Sequence, residues 1–375
     1  MRKTILALAL LLLPLLAAAQ QRHWNEGPLA LNELQSKISP DGNACHLTYH
    51  FDFELTKGSS SDGVTTTYYR ADAWIDLEQC WVDANSRNDV TLRFCQLLFD
   101  LIEVKRRQMA KLLQYAGTQP MREELLYATD AALRSKIATI KSSTAEGTDT
   151  AALARWEKAT RQQLDTLPID PMPVFEPGLL SAAMALGFTF GIPTGLSADV
   201  FTSGPGIYFS YELGLKRFVL DIDCYLTNAN MRVDMGGYLN DGTPHIVKEG
   251  DPASPSSVLV GAGFRVLEER NHTLTPIVAW SSGYRSFPAE KKNIISPYNG
   301  LAFGLAYRYH FSHRYRAAGA GWVMFNKPEI TLWSIDTRLM LERCTYKDSA
   351  VDINGWMVFL SVGISLGGRQ ANIQL

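Results

Sequence analysis

The stretch Trp356-Met-Val-Phe-Leu-Ser-Val-Gly-Ile-Ser-Leu-Gly367 decides the fold class, because its side chains alternate along the chain. Large apolar residues occupy every second position from Trp356 to Leu366, and small residues such as Ser361 and Gly363 lie between them. Successive side chains of a β-strand point to opposite faces. The stretch therefore predicts a strand with one apolar face and one face of mainly small, polar residues.

Seven further stretches upstream show the same period of two. They are residues 182–190, 207–214, 218–226, 258–266, 274–280, 301–310 and 333–342. Long polar connections alternate with short turns between them. The long connections are 192–204, 231–255, 283–298 and 345–354, and the short turns are 215–216 and 268–272. The segment 312–328 is longer than the short turn expected at its position. Eight strands with alternating loop lengths favour an antiparallel, up-and-down β-barrel.

The polar face of these strands indicates the interior of a small barrel. It is rich in Gly, Ala and Ser, with a few charges of both signs, whereas the solvated face of a β-sandwich carries many mixed charges. An eight-stranded barrel is only wide enough to hold side chains, so we expect a filled lumen without a pore. The expected polar network in the lumen consists of Glu212, Asp221, Asp223, Arg265, Arg308, Asp336, Arg338 and Glu342, with Lys216 as a further cation.

The C-terminal half, 179–375, resembles small bacterial outer-membrane β-barrels in this pattern. The resemblance implies an eight-stranded transmembrane barrel in contact with outer-membrane lipid of a Gram-negative bacterium. One departure is the ending Gln370-Ala-Asn-Ile-Gln-Leu375, which lacks the terminal aromatic residue usual in such barrels. The alternative is a soluble β-sandwich or a closed soluble barrel.

The N-terminal half has a different organisation. Residues 1–19 read as a secretory signal peptide, with Arg2 and Lys3 before an apolar run and then small alanines. Helical periodicity dominates much of 20–167, and a proline-rich linker, 168–178, separates that region from the barrel. The expected elements are strands at 45–55 and 64–77 and helices at 88–115, 121–140 and 150–164. Because an even strand number puts both barrel ends on the periplasmic side, we expect this α+β domain in the periplasm.

The run from Thr91 to Glu103 resembles the active helix of a family of secreted bacterial zinc-peptidase proteins. That helix reads His-Glu-Gln-x-His-Phe-Asp-Ile-x-Glu in the family, and this chain matches it at four positions. They are Gln96, Phe99, Asp100 and Glu103. Further partial matches are Trp24, Pro28-Leu29, Trp81-Val82, Thr144-Ala-Glu-Gly147 and Trp156. The resemblance implies a zincin-like α+β fold for this domain.

The residues that carry the zinc chemistry are missing from the matched positions. Two histidines at i and i+4 on one helix face bind zinc, and the glutamate after the first activates the metal-bound water. This chain has Phe94 and Leu98 at the histidine positions, Cys95 at the glutamate position and Glu146 at the third ligand position. We therefore expect no catalytic residue, metal or cofactor here. The expected role is structural or binding, with a periplasmic peptide or a cell-wall component as partner.

Composition and the remaining motifs limit the alternatives. With 36 Lys and Arg against 38 Asp and Glu, the net charge of −2 disfavours a nucleic-acid partner. A lipid-modifying enzyme at the barrel rim would use His310 and His313 with Ser312 nearby. A periplasmic metal-dependent hydrolase would need ligands that no motif identifies. Cys80 and Cys95 either form a disulfide or remain buried thiols.

Overall fold

The computed structural model describes residues 21–39, 41–59, 64–170, 172–238, 244–287, 294–324, 326–346 and 353–374. The expected signal peptide, 1–19, lies outside the described residues.

The N-terminal region contains two small groups of strands. They are β1 (Gln21–His23), β2 (Gln35–Lys37), β3 (Cys45–His46), β4 (Tyr49–Ser59), β5 (Thr65–Asp76) and β6 (Trp81–Asp83). The long strand β5 pairs antiparallel with β4 along its length and with β1 near its end, while β6 lies between β2 and β3. The single strand expected at 45–55 is divided into β3 and β4, so His46 and His50 lie on different strands.

Three helices follow, close to the predicted ranges. They are α1 (Asp89–Leu113), α2 (Gln119–Ser143) and α3 (Thr150–Thr166). Each begins at a side chain that accepts a backbone hydrogen bond of the first turn: Asn88, Thr118 and Asp149. Short 3-10 turns lie at Trp24–Glu26, Leu31–Glu33 and Ala84–Ser86. The apolar face of α1 forms the core of this region with β3, β5 and β6.

The C-terminal half forms a closed antiparallel barrel of eight strands. They are β7 (Val174–Thr194), β8 (Gly204–Leu215), β9 (Phe218–Thr227), β12 (Ser254–Phe264), β14 (His272–Phe287), β15 (Ile294–Arg316), β16 (Glu329–Tyr346) and β17 (Gly355–Gln374). Each strand pairs with the next, and β17 closes the ring by pairing with β7. The other elements here are α4 (Leu196–Val200), β10 (Met235–Tyr238), β11 (Pro244–Val247) and β13 (Leu267–Glu268). The predicted eight-stranded barrel is confirmed.

Two boundaries differ from the prediction. The first barrel strand begins at Val174, inside the segment 168–178 expected as a linker. Pro177 pairs opposite Ala371 where the register shifts, and such an irregularity tolerates a residue without a backbone donor. The long segment 312–328 is divided, because β15 continues to Arg316 and only the remainder forms the turn before β16.

The extended end of β15 joins the barrel to the N-terminal region. Residues Arg314–Arg316 pair in parallel with Thr65–Thr67 of β5, so the N-terminal sheet continues the barrel sheet. A second link is made by Tyr115, just after α1, whose hydroxyl donates to the carbonyl oxygen of Ile373 at 2.8 Å. Within the described residues, no helix is long and apolar enough to cross a bilayer.

Candidate functional site: the barrel lumen

The pleat of each barrel strand assigns charged and apolar side chains to opposite faces. On β9, Leu220 points outward and is exposed, whereas Asp221 and Asp223 point inward and are buried. Most outward positions of the barrel carry apolar side chains that are partly or fully exposed. Examples are Leu186 (62% exposed), Phe188 (75%) and Ile364 (58%). Apolar side chains therefore surround a polar interior, the reverse of a soluble protein.

Arg338 lies at the centre of the interior and contacts three carboxylates. Its Nη1 lies 2.8 Å from Asp221 Oδ2 and 2.6 Å from Asp223 Oδ1. Its Nε lies 2.9 Å from Asp336 Oδ1. The guanidinium side chain is fully buried. Charge-assisted hydrogen bonds of this kind are the strong ones, so these four residues form one tightly connected cluster.

Two further arginines extend the cluster toward the N-terminal region. Arg308 places its Nε 2.6 Å from Asp336 Oδ2 and its Nη1 2.7 Å from Glu212 Oε2. Arg265 places its Nη2 2.5 Å from the other oxygen of Glu212. The structure thus brings seven of the expected lumen residues into one chain of ion pairs, which is called the lumen network below. They are Glu212, Asp221, Asp223, Arg265, Arg308, Asp336 and Arg338.

Two expected members lie outside the lumen network. Glu342 is buried, but its Oε1 accepts a hydrogen bond from Ser257 at 2.7 Å, and its Oε2 has no hydrogen-bond partner among the described residues. Lys216 lies exposed in the turn after β8, where only its backbone carbonyl accepts from Arg265. The side chain of Lys216 does not join the lumen network, because a turn residue lies past the end of the barrel strands.

Tyrosines that the sequence analysis did not select complete the filling. Tyr208 donates to Asp336 Oδ1 at 2.9 Å, and Tyr225 donates to Asp223 Oδ2 at 3.1 Å. The ring of Tyr225 stacks on Phe359 with centroids 4.4 Å apart. Both tyrosines occupy inward positions of the alternating pattern, and this position in the sequence could have identified them as lumen residues. Ion-paired side chains and packed rings therefore fill the lumen.

The residues proposed for an enzyme at the barrel rim lie close together but bond to different groups. His310 points into the lumen, with Nδ1 2.6 Å from Ser334 Oγ and Nε2 2.8 Å from Thr273 Oγ1. His313 instead bonds through Nε2 to the carbonyl oxygen of Arg270 at 2.6 Å. Ser312 lies at a register shift between them. The two imidazole rings lie edge to face with centroids 6.0 Å apart, but no hydrogen bond joins them to each other among the described contacts.

The positions expected for zinc ligands meet in the N-terminal region but carry the wrong side chains. Phe94, Cys95 and Leu98 are buried on α1. Gly147 packs so closely on Phe94 that a Cβ at Gly147 would lie 2.8 Å from the Cβ of Phe94. Glu146 beside it accepts from the backbone of Ala44 at 3.3 Å. The apolar side chains of Phe94 and Leu98 supply no nitrogen ligand, so these residues do not fit a zinc ion. The described residues contain no cluster of three or more metal-ligating side chains.

Three residues that match the zinc-peptidase pattern, Trp24, Gln96 and Asp100, are joined by hydrogen bonds. Trp24 Nε1 donates to Asp100 Oδ1 at 2.9 Å, and Gln96 Nε2 donates to the same oxygen at 2.7 Å. Gln96 in turn accepts from the backbone of Leu29 at 2.7 Å. Burial raises the pKa of the Asp100 carboxyl above its ordinary value, although both hydrogen bonds oppose the shift. These contacts fasten the N-terminal segment to α1.

The cysteines are free thiols. Cys80 donates to the carbonyl oxygen of Thr48 at 3.7 Å, and burial raises its pKa to about 12. Cys95 forms a thiol–thiol hydrogen bond with Cys45, which, together with burial, raises the pKa of Cys45. The neighbour of Cys95 is thus Cys45, and the disulfide alternative for Cys80 and Cys95 is not present in the structure.

Among the comparisons with known proteins, only the one with solved structures finds matches. No family profile matches the chain, and no curated protein matches it. Ail, the attachment invasion locus protein of Yersinia pestis, is 12% identical with a TM-score of 0.30, covering 51% of this chain and 99% of that chain. Neisserial surface protein A is 12% identical with a TM-score of 0.32, covering 52% and 99%. The outer membrane protease OmpT from Escherichia coli is 9% identical with a TM-score of 0.23, covering 53% and 98%. This chain is similar to each over about half of its own length.

Proposed function

We propose that the protein is a non-enzymatic outer-membrane β-barrel whose closed lumen makes it an anchor for a periplasmic domain with a structural or binding role. The observation that carries the proposal is the inverted arrangement of the barrel. Large apolar side chains such as Phe188 and Ile364 are exposed on the outside, while Asp336 and Arg338 are almost completely buried. Exposed apolar surface of this extent needs a lipid surrounding.

The lumen network argues against a channel. Its three arginines form ion pairs with four carboxylates across the interior, and Tyr208 and Tyr225 pack beside them. An eight-stranded barrel encloses only enough room for its own side chains. An ion or solute would have to break several buried ion pairs to pass. The barrel therefore serves to hold the chain in the membrane.

The N-terminal domain lies at the barrel end that carries the short turns. The turn at Lys216 and the end of β17 are on this side, and β5 joins β15 there. Short turns of outer-membrane barrels are periplasmic, which supports a periplasmic domain. We infer that this domain descends from a peptidase and is inactive, because Phe94 and Leu98 replace the zinc ligands. Its partner on this proposal is a periplasmic peptide or a cell-wall component.

Fractionation combined with heat-modifiable migration tests the membrane barrel. The mature protein is expected in the outer-membrane fraction, and an unheated sample in detergent is expected to migrate differently from a boiled one, because the closed barrel stays folded in detergent. Recovery as a monomer in the detergent-free periplasmic extract, with no change on boiling, would contradict the proposal. Stoichiometric zinc in the purified full chain would contradict the inactive assignment.

Cysteine labelling of whole cells tests the orientation. Glu249 is exposed in the connection before β12, and Ser135 is exposed on α2 in the N-terminal domain. An impermeant maleimide is expected to label Glu249→Cys in intact cells and Ser135→Cys only after the outer membrane is permeabilised. The unsubstituted chain is the control for its own cysteines. Labelling of Ser135→Cys alone in intact cells would reverse the proposed orientation.

A further inference from the structure

We propose that a small pocket at one end of the barrel lumen binds ordered water, and that this water completes the hydrogen bonding of the lumen network. The pocket lies at the barrel end that carries the short turns, and its volume is about 60 Å³. Its lining comes from β7, β8 and β14 to β17, so the ring of strands surrounds it. The inference goes beyond the proposed function, because it concerns the barrel interior and holds whichever side of the membrane this end faces.

Two side chains that line the pocket each have one buried polar atom without a partner. Arg308 uses its Nε for Asp336 and its Nη1 for Glu212, whereas its Nη2 has no hydrogen-bond partner among the described residues. The Oγ of Ser365 has none either within the described part of the chain. Arg308 is 6% exposed and Ser365 is 1% exposed, so bulk solvent does not satisfy these atoms. A buried polar atom without a partner is costly, and bound water is a common partner for such atoms.

The other polar side chains of the pocket already bond to described partners. Arg265 Nη2 donates to Ser181 Oγ at 2.8 Å, and Arg369 Nη1 lies 2.6 Å from Glu268 Oε1. Both ring nitrogens of His310 are hydrogen-bonded to hydroxyl groups. Each charged side chain of the lining has an ion-pair partner. A bound molecule therefore needs to satisfy one guanidinium nitrogen and one hydroxyl group, and it needs no charge of its own.

Water meets these requirements better than an ion. Its oxygen accepts from Arg308 Nη2, and it can donate to or accept from the hydroxyl group of Ser365. A cavity needs roughly 10–15 Å³ to hold one water molecule, so the pocket has room for more than one.

The charges of the lumen network disfavour an anion in the pocket. An anion could also accept from Arg308 Nη2, but the lumen network joins three arginines to four carboxylates. A further negative charge beside these carboxylates would be repelled in a buried, weakly screened interior. A cation would in turn meet the unpaired guanidinium nitrogen of Arg308. The geometry and the charges therefore both favour a neutral molecule that accepts and donates hydrogen bonds.

A crystal structure of the full chain in detergent, at a resolution that shows ordered water, tests the site directly. Electron density within hydrogen-bond distance of Arg308 Nη2 and Ser365 Oγ is expected in the pocket. A crystal soaked in sodium bromide is expected to show no anomalous peak there. An empty pocket would overturn the proposal, and a bromide peak would identify an anion site in place of a water site.

Gly367→Ala tests the bound water in solution. Gly367 lines the pocket, and a Cβ at this position would lie no closer than 3.4 Å to its neighbours. In a dry pocket the added methyl group would fill space and stabilise the protein. In a pocket that holds water, the methyl group competes with the water and leaves Arg308 without a partner. The midpoint of thermal unfolding, followed by the heat-modifiable band in detergent, is therefore expected to fall by about 2–4 °C.

Two further variants make this result specific. Ser365→Ala removes a hydroxyl group that would be unpaired in a dry pocket but hydrogen-bonded in a hydrated one, so its midpoint is also expected to fall. Gly236→Ala is the matched control, because a Cβ at Gly236 would meet no atom within 4 Å, and its midpoint is expected to stay at the wild-type value. A midpoint of Gly367→Ala or Ser365→Ala at or above the wild-type value would overturn the bound water.

Discussion

Arg338 is the side chain on which the interior of the barrel depends most. It contacts Asp221, Asp223 and Asp336, and none of these side chains has access to solvent that would compensate its loss. Breaking a buried ion pair by removing one partner is costly, because it leaves an uncompensated charge. Arg338 therefore compensates more carboxylates than any other arginine of the lumen network.

Replacing Arg338 with alanine is expected to lower the free energy of unfolding by about 3–5 kcal/mol. The measurement is urea unfolding of the purified protein in detergent, followed by the heat-modifiable band. Arg343→Ala, at an exposed position of the same strand, is the matched control and is expected to change the free energy by no more than about 0.5 kcal/mol. Equal effects of the two substitutions would contradict a central role for Arg338.

Asp100 gives a prediction about pH. Its carboxyl pKa is raised in the folded state by burial, so the folded state binds a proton more readily than the unfolded state. The stabilising effect of this proton is present at low pH and is lost as the pH rises through the raised pKa of the folded state. Asp100→Asn should remove this pH dependence, because an amide does not titrate. Its oxygen can still accept the hydrogen bonds from Trp24 and Gln96, so the local contacts are kept.

Urea unfolding of the N-terminal domain in the full chain, followed by tryptophan fluorescence between pH 4 and 7, measures this difference, because the window begins near the ordinary pKa of an aspartate. The wild type is expected to lose stability relative to Asp100→Asn as the pH increases. Asp165→Asn, at an exposed position of α3, is the control and should keep the wild-type profile. A stability difference between Asp100→Asn and the wild type that stays constant over this range would show that burial of Asp100 has no energetic effect.

At the scale of elements, α1 holds the segment that leads to the barrel. Arg106 Nη2 donates to the carbonyl oxygen of Ile169 at 2.6 Å, and its Nη1 lies 2.8 Å from Asp170 Oδ1. Arg107 donates to the carbonyl oxygen of Leu167 at 2.6 Å. Glu103 orients both arginines through bonds of 2.7 Å. The connection is therefore restrained by side chains of α1 as well as by its prolines.

Arg106→Met is expected to increase proteinase K cleavage within residues 167–173 roughly tenfold, because a hydrogen bond to a charged group contributes about 1.5–3 kcal/mol. Mass spectrometry of the fragments locates the cuts, and circular dichroism verifies that the helices persist. Arg155→Met, at an exposed position of α3, is the control with the same change of residue type. Unchanged cleavage in Arg106→Met would mean that the prolines alone restrain the segment.

At the scale of the whole molecule, the surroundings of a residue decide the effect of a charge. Leu305 on the outer face of the barrel and Leu112 on α1 are similarly exposed, at 45% and 52%. Leu305→Arg is expected to destabilise the protein by about 2 kcal/mol or more, since an arginine facing lipid near the bilayer midplane costs ~2–4 kcal/mol. Leu112→Arg is expected to change stability by only about 0.5 kcal/mol or less.

Unfolding in lipid vesicles, compared between these two variants, measures the contrast. The difference between Leu305→Arg and Leu112→Arg should persist in vesicles, because the proposed location puts the barrel in the bilayer and the N-terminal domain in water. Equal, small effects at both positions would place the outer face of the barrel in water and contradict the membrane location.

The alternation of residues was sufficient to predict the barrel and the direction of most of its side chains. Leu220 and Asp221 face opposite sides because the strand period of two is a property of the local backbone. The ends of strands were less predictable. Pro177 reads as part of a linker, and only its pairing opposite Ala371 identifies it as part of β7.

The sequence by itself determined the number of barrel strands and the polar character of the lumen, because both follow from residue type and local spacing. Only the tertiary structure decided the partners. Arg338 meets Asp221 from a strand far away in the chain, while Glu342 accepts a hydrogen bond from Ser257. The closure and stagger of the barrel set which inward side chains share a level, and these are properties of the whole ring that no single strand contains.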